Sequence, residues 1–225
     1  MPVVATNTAA NSALRFLNNN SSMASSSVSK LASGSRIVKA SDDAAGLAIG
    51  TRLKADVTAL TQAGINASQG ASVVQVADGG LGRIGDVLQR MKALAAQSLS
   101  GVPTDTERAF IDAEYQELQA EITDIADTTR FNGQSLLDGA AATADYFVGT
   151  DVSDTITVDF AALAAATAAF GAAALGVNLS VGSASAAQAA MSAIDTAIDT
   201  VSEARATAGA LISRFEFRGQ QIATS

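Results

Sequence analysis

The sequence has 225 residues and a formal net charge of −8, with 14 Lys and Arg against 22 Asp and Glu, and it contains no Cys, His or Trp. Without Cys there is no disulfide, thiolate zinc site or cysteine nucleophile, and without His the commonest general base and metal ligand is missing. The acidic balance argues against nucleic acid as the main partner. Alanine supplies 49 residues, which favours closely packed helices over a thick globular core.

The first forty residues form a basic leader that carries four cationic side chains and no acid. It has no unbroken apolar run, so it does not match an ordinary secretory signal peptide. Its apolar residues recur at alternating steps of three and four, a weak coiled-coil seam that predicts a helix. The large members of this seam are Leu14, Leu17, Val28 and Leu31.

A long helix is predicted from Ser41 to Leu99, because the same apolar rhythm continues without any Pro. Ser41 is expected to be its N-cap, with Asp42 and Asp43 in the first turn, where the helix dipole favours carboxylates. The two adjacent acids also suit acid/base chemistry or a hard cation, but capping explains them more simply.

A second helix is predicted after Pro103, where Thr104 and Glu107 form a capping box, and it should fold back antiparallel and end near Thr128. Turn signals follow at residues 131–133 and 138–139, and a short hairpin is expected from residues 146–148 and 155–158. A final helix is predicted from Met191, and its rhythm is still running at Ser225. Together these elements predict a mainly α fold, an elongated bundle of long antiparallel helices with coiled-coil packing and a small β-hairpin region.

Three other patterns suggest functions, and each has a simpler structural interpretation. The stretch from Phe160 to Val177 is long enough to cross a membrane, but it is mostly Ala, Gly and Thr, which favours an Ala-rich helix or loop. Residues 80–85 read G-x-G-x-x-G, yet helical spacing on both sides favours close helix packing over a dinucleotide site. The acids of residues 105–127 lack EF-hand spacing. No nucleophile–base pair stands out, so we predict no enzymatic activity, cofactor or metal.

Several segments, in order along the chain, resemble the bacterial flagellins. The most specific are LASGSRI at residues 31–37 and KASDDAAGLAI at residues 39–49. Weaker matches follow at residues 66–70, 78–81, 88–94, 121–122 and 129–133, and VSEARATAGALISRF at residues 201–215 resembles the C-terminal core helix of that family.

The resemblance implies a minimal flagellin with a short central region, apparently lacking the family's C-terminal helix. It implies a secreted, extracellular subunit that polymerises with itself into the flagellar filament for motility and has no membrane span. Other implied partners are the type III export apparatus, a chaperone, and hook-associated and cap proteins. The implied domains are an N-terminal filament-core and export segment (1–40), the first part of the helical core (41–139), a short variable insert (140–184) and a C-terminal core helix (185–225).

The resemblance also implies recognition by the innate immune receptor for flagellin, Toll-like receptor five. The family's receptor-contacting motif falls on Gln89, Arg90 and Leu94, with Glu114 on the antiparallel helix. Ala93 and Lys92 depart from the usual acid and Arg of that motif, and the simpler interpretation of Arg90 and Glu114 is an exposed ion pair.

Two alternatives to a filament subunit remain. A hook–filament junction protein shares the termini, although that group predicts Pro after the Asp pair, where this chain has Ala44 and Ala45. A non-flagellar coiled-coil adaptor explains the periodicity but not the ordered motifs.

Overall fold

A computed structural model of the chain describes residues 7–139, 143–160 and 170–224. The chain divides into two compact units, one ending at Val57 and the other beginning at Thr58. The predicted class is confirmed: long helices dominate, and the strands form two small antiparallel pairs.

The first unit contains helix α1 (Thr8–Ser33) and the start of helix α2 (Ala44–Leu99). Asn7 caps the beginning of α1 by accepting a hydrogen bond from the Ala10 amide at 3.1 Å. The helix ends at Gly34, whose left-handed backbone (φ 65°) lets its amide bond the Leu31 carbonyl. No residue of α1 is buried within the unit.

In the described part of the second unit, three long helices pack together: the rest of α2, helix α3 (Asp105–Thr128) and helix α4 (Ala184–Thr224). Helix α3 runs antiparallel to α2, because Arg90 meets Glu114 and Arg108 meets the Ser98 carbonyl. Helix α4 also runs antiparallel to α2. Along α2 from its C-terminal end, the side chains that meet successive parts of α4 are Lys92 with Asp195, Asp78 with Arg205, and Gly70 with Phe215.

The core of this unit follows the apolar rhythm predicted from the sequence. The capping box of α3 is present, since Thr104 and Glu107 satisfy each other's amides as expected, and the helix ends at Thr128. The buried seam residues include Leu81, Ile84, Leu88 and Met91 of α2, Ile111, Tyr115 and Ile122 of α3, and Ile194, Val201, Ala208 and Phe215 of α4. Arg205 occupies a seam position in the sequence, but its guanidinium is exposed and bonds Asp78 at 2.9 Å.

Two hairpins follow α3. Strands β1 (Arg130–Phe131) and β2 (Gln134–Ser135) are joined by Asn132 and Gly133, both with positive φ, as a tight two-residue hairpin turn requires. Strands β3 (Ala144–Phe147) and β4 (Thr155–Val158) form the second hairpin close to the predicted one. The aromatic ring of Tyr146 meets that of Phe215 edge-on, with centroids 5.4 Å apart, which joins the hairpin to α4.

A connecting segment, residues 170–183, leads into α4 along the surface of α3. Polar side chains bind its backbone: Asp112 accepts from the Val181 amide at 2.6 Å, and Gln119 donates to the Val177 carbonyl at 2.9 Å. Ser98 of α2 donates to the Val181 carbonyl. Of the predicted Ala-rich stretch, residues 161–169 lie outside the described residues. In the part of the chain that is described, no helix is long and apolar enough to cross a membrane.

Candidate functional site

The predicted receptor-contact residues Arg90 and Glu114 lie side by side on neighbouring helices. The Nε and Nη2 atoms of Arg90 donate to the same Glu114 oxygen, at 2.9 and 2.5 Å. About half of each side chain stays exposed. The pair therefore presents a cation and an anion on the outer surface of α2 and α3, and such exposed pairs contribute under about 1 kcal/mol to stability.

The other two predicted contact residues differ from each other in exposure. Gln89 is exposed next to Arg90, whereas Leu94 is only 2% exposed and packs in the core. The Leu94 side chain therefore packs inside the helix pair in this chain, and contact between Leu94 and a receptor stays a prediction. Lys92, for which the sequence indicated no partner, bonds Asp195 of α4. This contact could not be predicted from the spacing of residues, because the two are 103 positions apart.

The large residues of the predicted filament-core seam form an exposed apolar stripe on α1. Leu14, Leu17, Val28 and Leu31 are 55%, 65%, 64% and 82% exposed. Phe16 and Met23 are also more than half exposed on the same helix. An amphipathic helix is stabilised mainly by packing its apolar face, and within its own unit α1 buries none of it.

The predicted N-cap at Ser41 is wrong by two residues. Helix α2 begins at Ala44, and the Asp43 side chain accepts the Gly46 amide at 2.8 Å, so Asp43 is the capping residue. Ser41 and Asp42 lie in the turn before it. Asp42 accepts the amides of Val38 and Lys39, both at 3.2 Å, and these bonds lower the pKa of its carboxyl. Two of the three residues thus bind backbone amides, as helix-capping side chains do, rather than forming a site for catalysis.

The G-x-G-x-x-G run lies entirely inside α2, so helix rather than strand directly precedes it. A dinucleotide site needs a strand and a turn ahead of the helix, so this run is not one. Gly80 instead allows a close approach, since a Cβ there would lie 2.7 Å from Thr129 Oγ1 and 2.8 Å from Leu137 Cδ1. Within residues 7–139, 143–160 and 170–224 no group of His, Cys, Asp or Glu is placed to hold a metal ion.

The family model for the bacterial flagellin N-terminal helical region matches residues 4–142, which is more than half of the chain. The chain belongs to the bacterial flagellin family. Flagellins are structural proteins, in keeping with the prediction that this chain is not an enzyme.

Similar proteins from other bacteria support this family assignment. The chain is similar to a flagellin of Clostridium tyrobutyricum, 47% identical over 134 residues that cover 60% of this chain and 36% of the relative. It is similar to polar flagellin A of Vibrio parahaemolyticus, 38% identical over 168 residues that cover 75% and 45% of the two chains. The chain therefore spans less than half the length of these relatives.

Solved structures share the flagellin fold. The Bacillus cereus flagellin structure matches with a TM-score of 0.62 at 28% identity, covering 70% of this chain and 88% of that one. A putative flagellar hook-associated protein of Vibrio parahaemolyticus matches with a TM-score of 0.63, covering 83% and 95% of the two chains. At 15% identity the second match shows the fold alone.

Proposed function

We propose that this chain is a structural subunit of the bacterial flagellar filament, which grows outside the cell by self-polymerisation. The observation that carries the proposal is the exposed apolar stripe of α1, whose four seam residues are each more than half exposed. Burying such a stripe against other helices releases apolar surface from water, at about 1.5–3 kcal/mol for each large side chain. A polymer of like subunits supplies those helices.

The proposed roles of the chain segments follow the four predicted domains. Residues 1–40 supply the filament-core and export segment, residues 41–139 and 185–225 form the helical core domain, and residues 140–184 are the variable insert. Secretion through the flagellar export apparatus with a chaperone, and contact with hook-associated and cap proteins, belong to this proposal. A hook–filament junction protein is the alternative function. The residues after Asp43 favour the filament subunit, because they are Ala44 and Ala45 rather than Pro.

The test is seeded elongation. We would add purified chain to sheared flagellar filaments and measure growth by negative-stain electron microscopy, comparing a Leu17→Gln/Val28→Gln variant with an Asn19→Gln/Ser22→Gln control. The control introduces the same residue off the stripe, where positions are also exposed. We expect growth of the unsubstituted chain and the control, and at least a roughly tenfold higher critical concentration for the stripe variant, since about 1.4 kcal/mol is tenfold. If the unsubstituted chain does not grow, the family's C-terminal helix is added to it, and no growth of that extended chain would refute the proposal.

The second candidate function is recognition by Toll-like receptor five. The observation that favours it is the exposed Arg90–Glu114 pair, with Gln89 exposed beside it. In receptor-reporter cells, Arg90→Ala and Glu114→Ala should each weaken the response to the chain. Arg83→Ala, which removes an exposed Arg two turns earlier on α2, is the control. Equal responses from all three variants would contradict this function.

A further inference from the structure

The tight turn between β1 and β2 contains an asparagine that directly precedes a glycine. Of the eight Asn in the sequence, only Asn132 is followed by Gly. Among the described residues, Asn132 is also the only one other than glycine with a positive φ, at 49°. Both turn residues are exposed. The sequence predicted this turn, but the proposed function makes no use of its chemistry.

An Asn side chain and the backbone amide that follows it can react with each other. Attack of that amide nitrogen on the side-chain amide carbon closes a five-membered ring. A side chain on the following residue crowds the attacking nitrogen, and Gly133 has none. A Cβ added to Gly133 would meet no atom beyond its chain neighbours within 4 Å, so the turn projects into open space. Water therefore reaches both reacting groups.

Few contacts hold this turn in its folded conformation. The strands β1 and β2 pair through only two residues each. Among the described residues, no hydrogen bond engages the Gly133 amide, so its nitrogen is available for the attack. Ring closure requires Asn132 to leave its left-handed backbone conformation, so the turn has to open first. A ladder this short and exposed opens at a low free energy, as loops and frayed ends do.

We propose that Asn132 is a site of spontaneous covalent modification, at which the Gly133 nitrogen attacks the Cγ atom of Asn132. The new N–C bond closes a succinimide, and the side-chain nitrogen leaves as ammonia with the proton that the Gly133 nitrogen gives up. Water then opens the ring at one of its two carbonyl carbons. Breaking the new bond leaves aspartate, whereas breaking the original peptide bond leaves isoaspartate. Water is the only co-reactant, and no oxidant or reductant is needed.

The two products affect the turn differently. Aspartate leaves the backbone unchanged, and like asparagine it tolerates the left-handed region. Isoaspartate routes the chain through the former side chain, which adds one atom to the backbone between residues 132 and 133. A two-residue hairpin turn requires positive φ at both positions. We therefore expect isoaspartate to disrupt the turn and aspartate to preserve it.

The turn affects the core because β2 leads directly into two buried leucines. Leu136 and Leu137 are only 4% and 2% exposed. The Leu136 amide donates to the Thr129 carbonyl at 3.0 Å, which closes the base of the hairpin. Leu137 packs against α2 at Gly80. Isoaspartate should therefore loosen both leucines and lower the free energy of unfolding.

The test is to age the dilute chain in mildly alkaline buffer and to follow residue 132 by mass spectrometry. Endoproteinase Asp-N releases residues 127–137, in which Asn132 is the only Asn. This protease cleaves before aspartate but not before isoaspartate, so the isoaspartyl product keeps the whole peptide, with a hydroxyl in place of an amino group. Fragment masses separate residue 132 from Gln134. Methylation by an isoaspartyl methyltransferase counts isoaspartate independently.

Two other asparagines are internal controls. Asn178 is exposed in the connecting segment but precedes Leu179, whereas Asn66 lies inside α2 and precedes Ala67. We expect isoaspartate to form at Asn132 at least roughly tenfold faster than at either control, and tenfold is about 1.4 kcal/mol. A smaller excess, equal rates at the three sites, or no isoaspartate at Asn132 would overturn the inference.

The Asn132→Asp variant separates the effects of the two products. When fresh, it has the aspartate product on an intact backbone, so its urea unfolding midpoint should match that of the unsubstituted chain. Asn178→Asp makes the same charge change at another exposed position and is the matched control. The aged unsubstituted chain should show a second, less stable population whose fraction equals that of isoaspartate.

Absence of that second population in a sample that contains isoaspartate would contradict the predicted disruption of the hairpin. A low midpoint for fresh Asn132→Asp, but not for Asn178→Asp, would contradict the expectation that aspartate preserves the turn. All of these measurements use the dilute chain, so their outcome is independent of whether filaments grow.

Discussion

At the scale of single residues, Gly80 is where the lack of a side chain sets how closely α2 approaches its neighbours. Its α-carbon faces Thr129 after the end of α3 and Leu137 after β2, so any Cβ would overlap both. Gly79, one residue earlier on the same helix, faces open space. Within the G-x-G-x-x-G run, Gly80 is therefore needed for close packing. No contact in the structure requires Gly79 to lack a side chain.

The matched substitutions Gly79→Ala and Gly80→Ala test this packing role. Each gains the helix propensity of Ala, about 0.5–1 kcal/mol, so Gly79→Ala should be more stable than the unsubstituted chain. Gly80→Ala also forces Thr129 and Leu137 to move, and overpacking of this kind costs about 1–3 kcal/mol. Urea unfolding followed by circular dichroism should therefore place Gly80→Ala below Gly79→Ala by that amount. Equal stabilities would mean that α2 does not pack closely against Thr129 and Leu137 at Gly80.

At the scale of elements, the sequence predicted helices far better than the contacts between them. The spacing of apolar residues predicted α2, α3 and α4, because a helix that buries one stripe has apolar residues recurring about every 3.6 positions. The N-cap of α2 was predicted two residues early because Ser41, Asp42 and Asp43 are all good capping residues. Only the surrounding hydrogen bonds select Asp43.

The connecting segment, residues 170–183, was not predictable for a different reason. It has no regular secondary structure, and side chains 58 to 83 positions away in the sequence bind the backbone of its last part. Tyr115 is one of them: its hydroxyl donates to the Val177 carbonyl at 3.3 Å, and burial raises its pKa to about 12. Periodicity found Tyr115 as a core residue but gave no sign of its polar partner.

The raised pKa of Tyr115 predicts how stability changes in alkaline solution. Between the ordinary value of 10.0 and about 12, the unfolded chain has lost the phenol proton and the folded chain has kept it. The free energy of unfolding should therefore fall as pH rises through this window. Urea unfolding at several pH values should show a smaller fall for Tyr115→Phe than for the unsubstituted chain. The same measurement on Tyr146→Phe is compared with it, because burial raises the pKa of Tyr146 as well. An unchanged slope in Tyr115→Phe would show that Tyr115 ionises normally.

At the scale of the whole molecule, the two units differ in how they are stabilised. In the described residues of the second unit, α2, α3, α4 and the second hairpin share a buried core, whereas no residue of α1 in the first unit is buried. The sequence distinguished them in part, because the seam of α1 is interrupted by Ser21 and Ala24 while those of α2 and α4 are richer in large residues. It gave no indication that Phe110 and Phe217 are exposed on the surface, since both residues fall outside the periodic core.

The central claim is that α1 is an assembly surface, stabilised only when other subunits cover its apolar stripe. The most direct measurement is amide hydrogen exchange of residues 8–33, compared between the dilute chain and the sedimented polymer. An isolated helix of this length with a bare apolar face should open readily in the monomer, and its amides should become strongly protected in the polymer. Strong protection of α1 in the monomer, or fast exchange in both states, would contradict the claim.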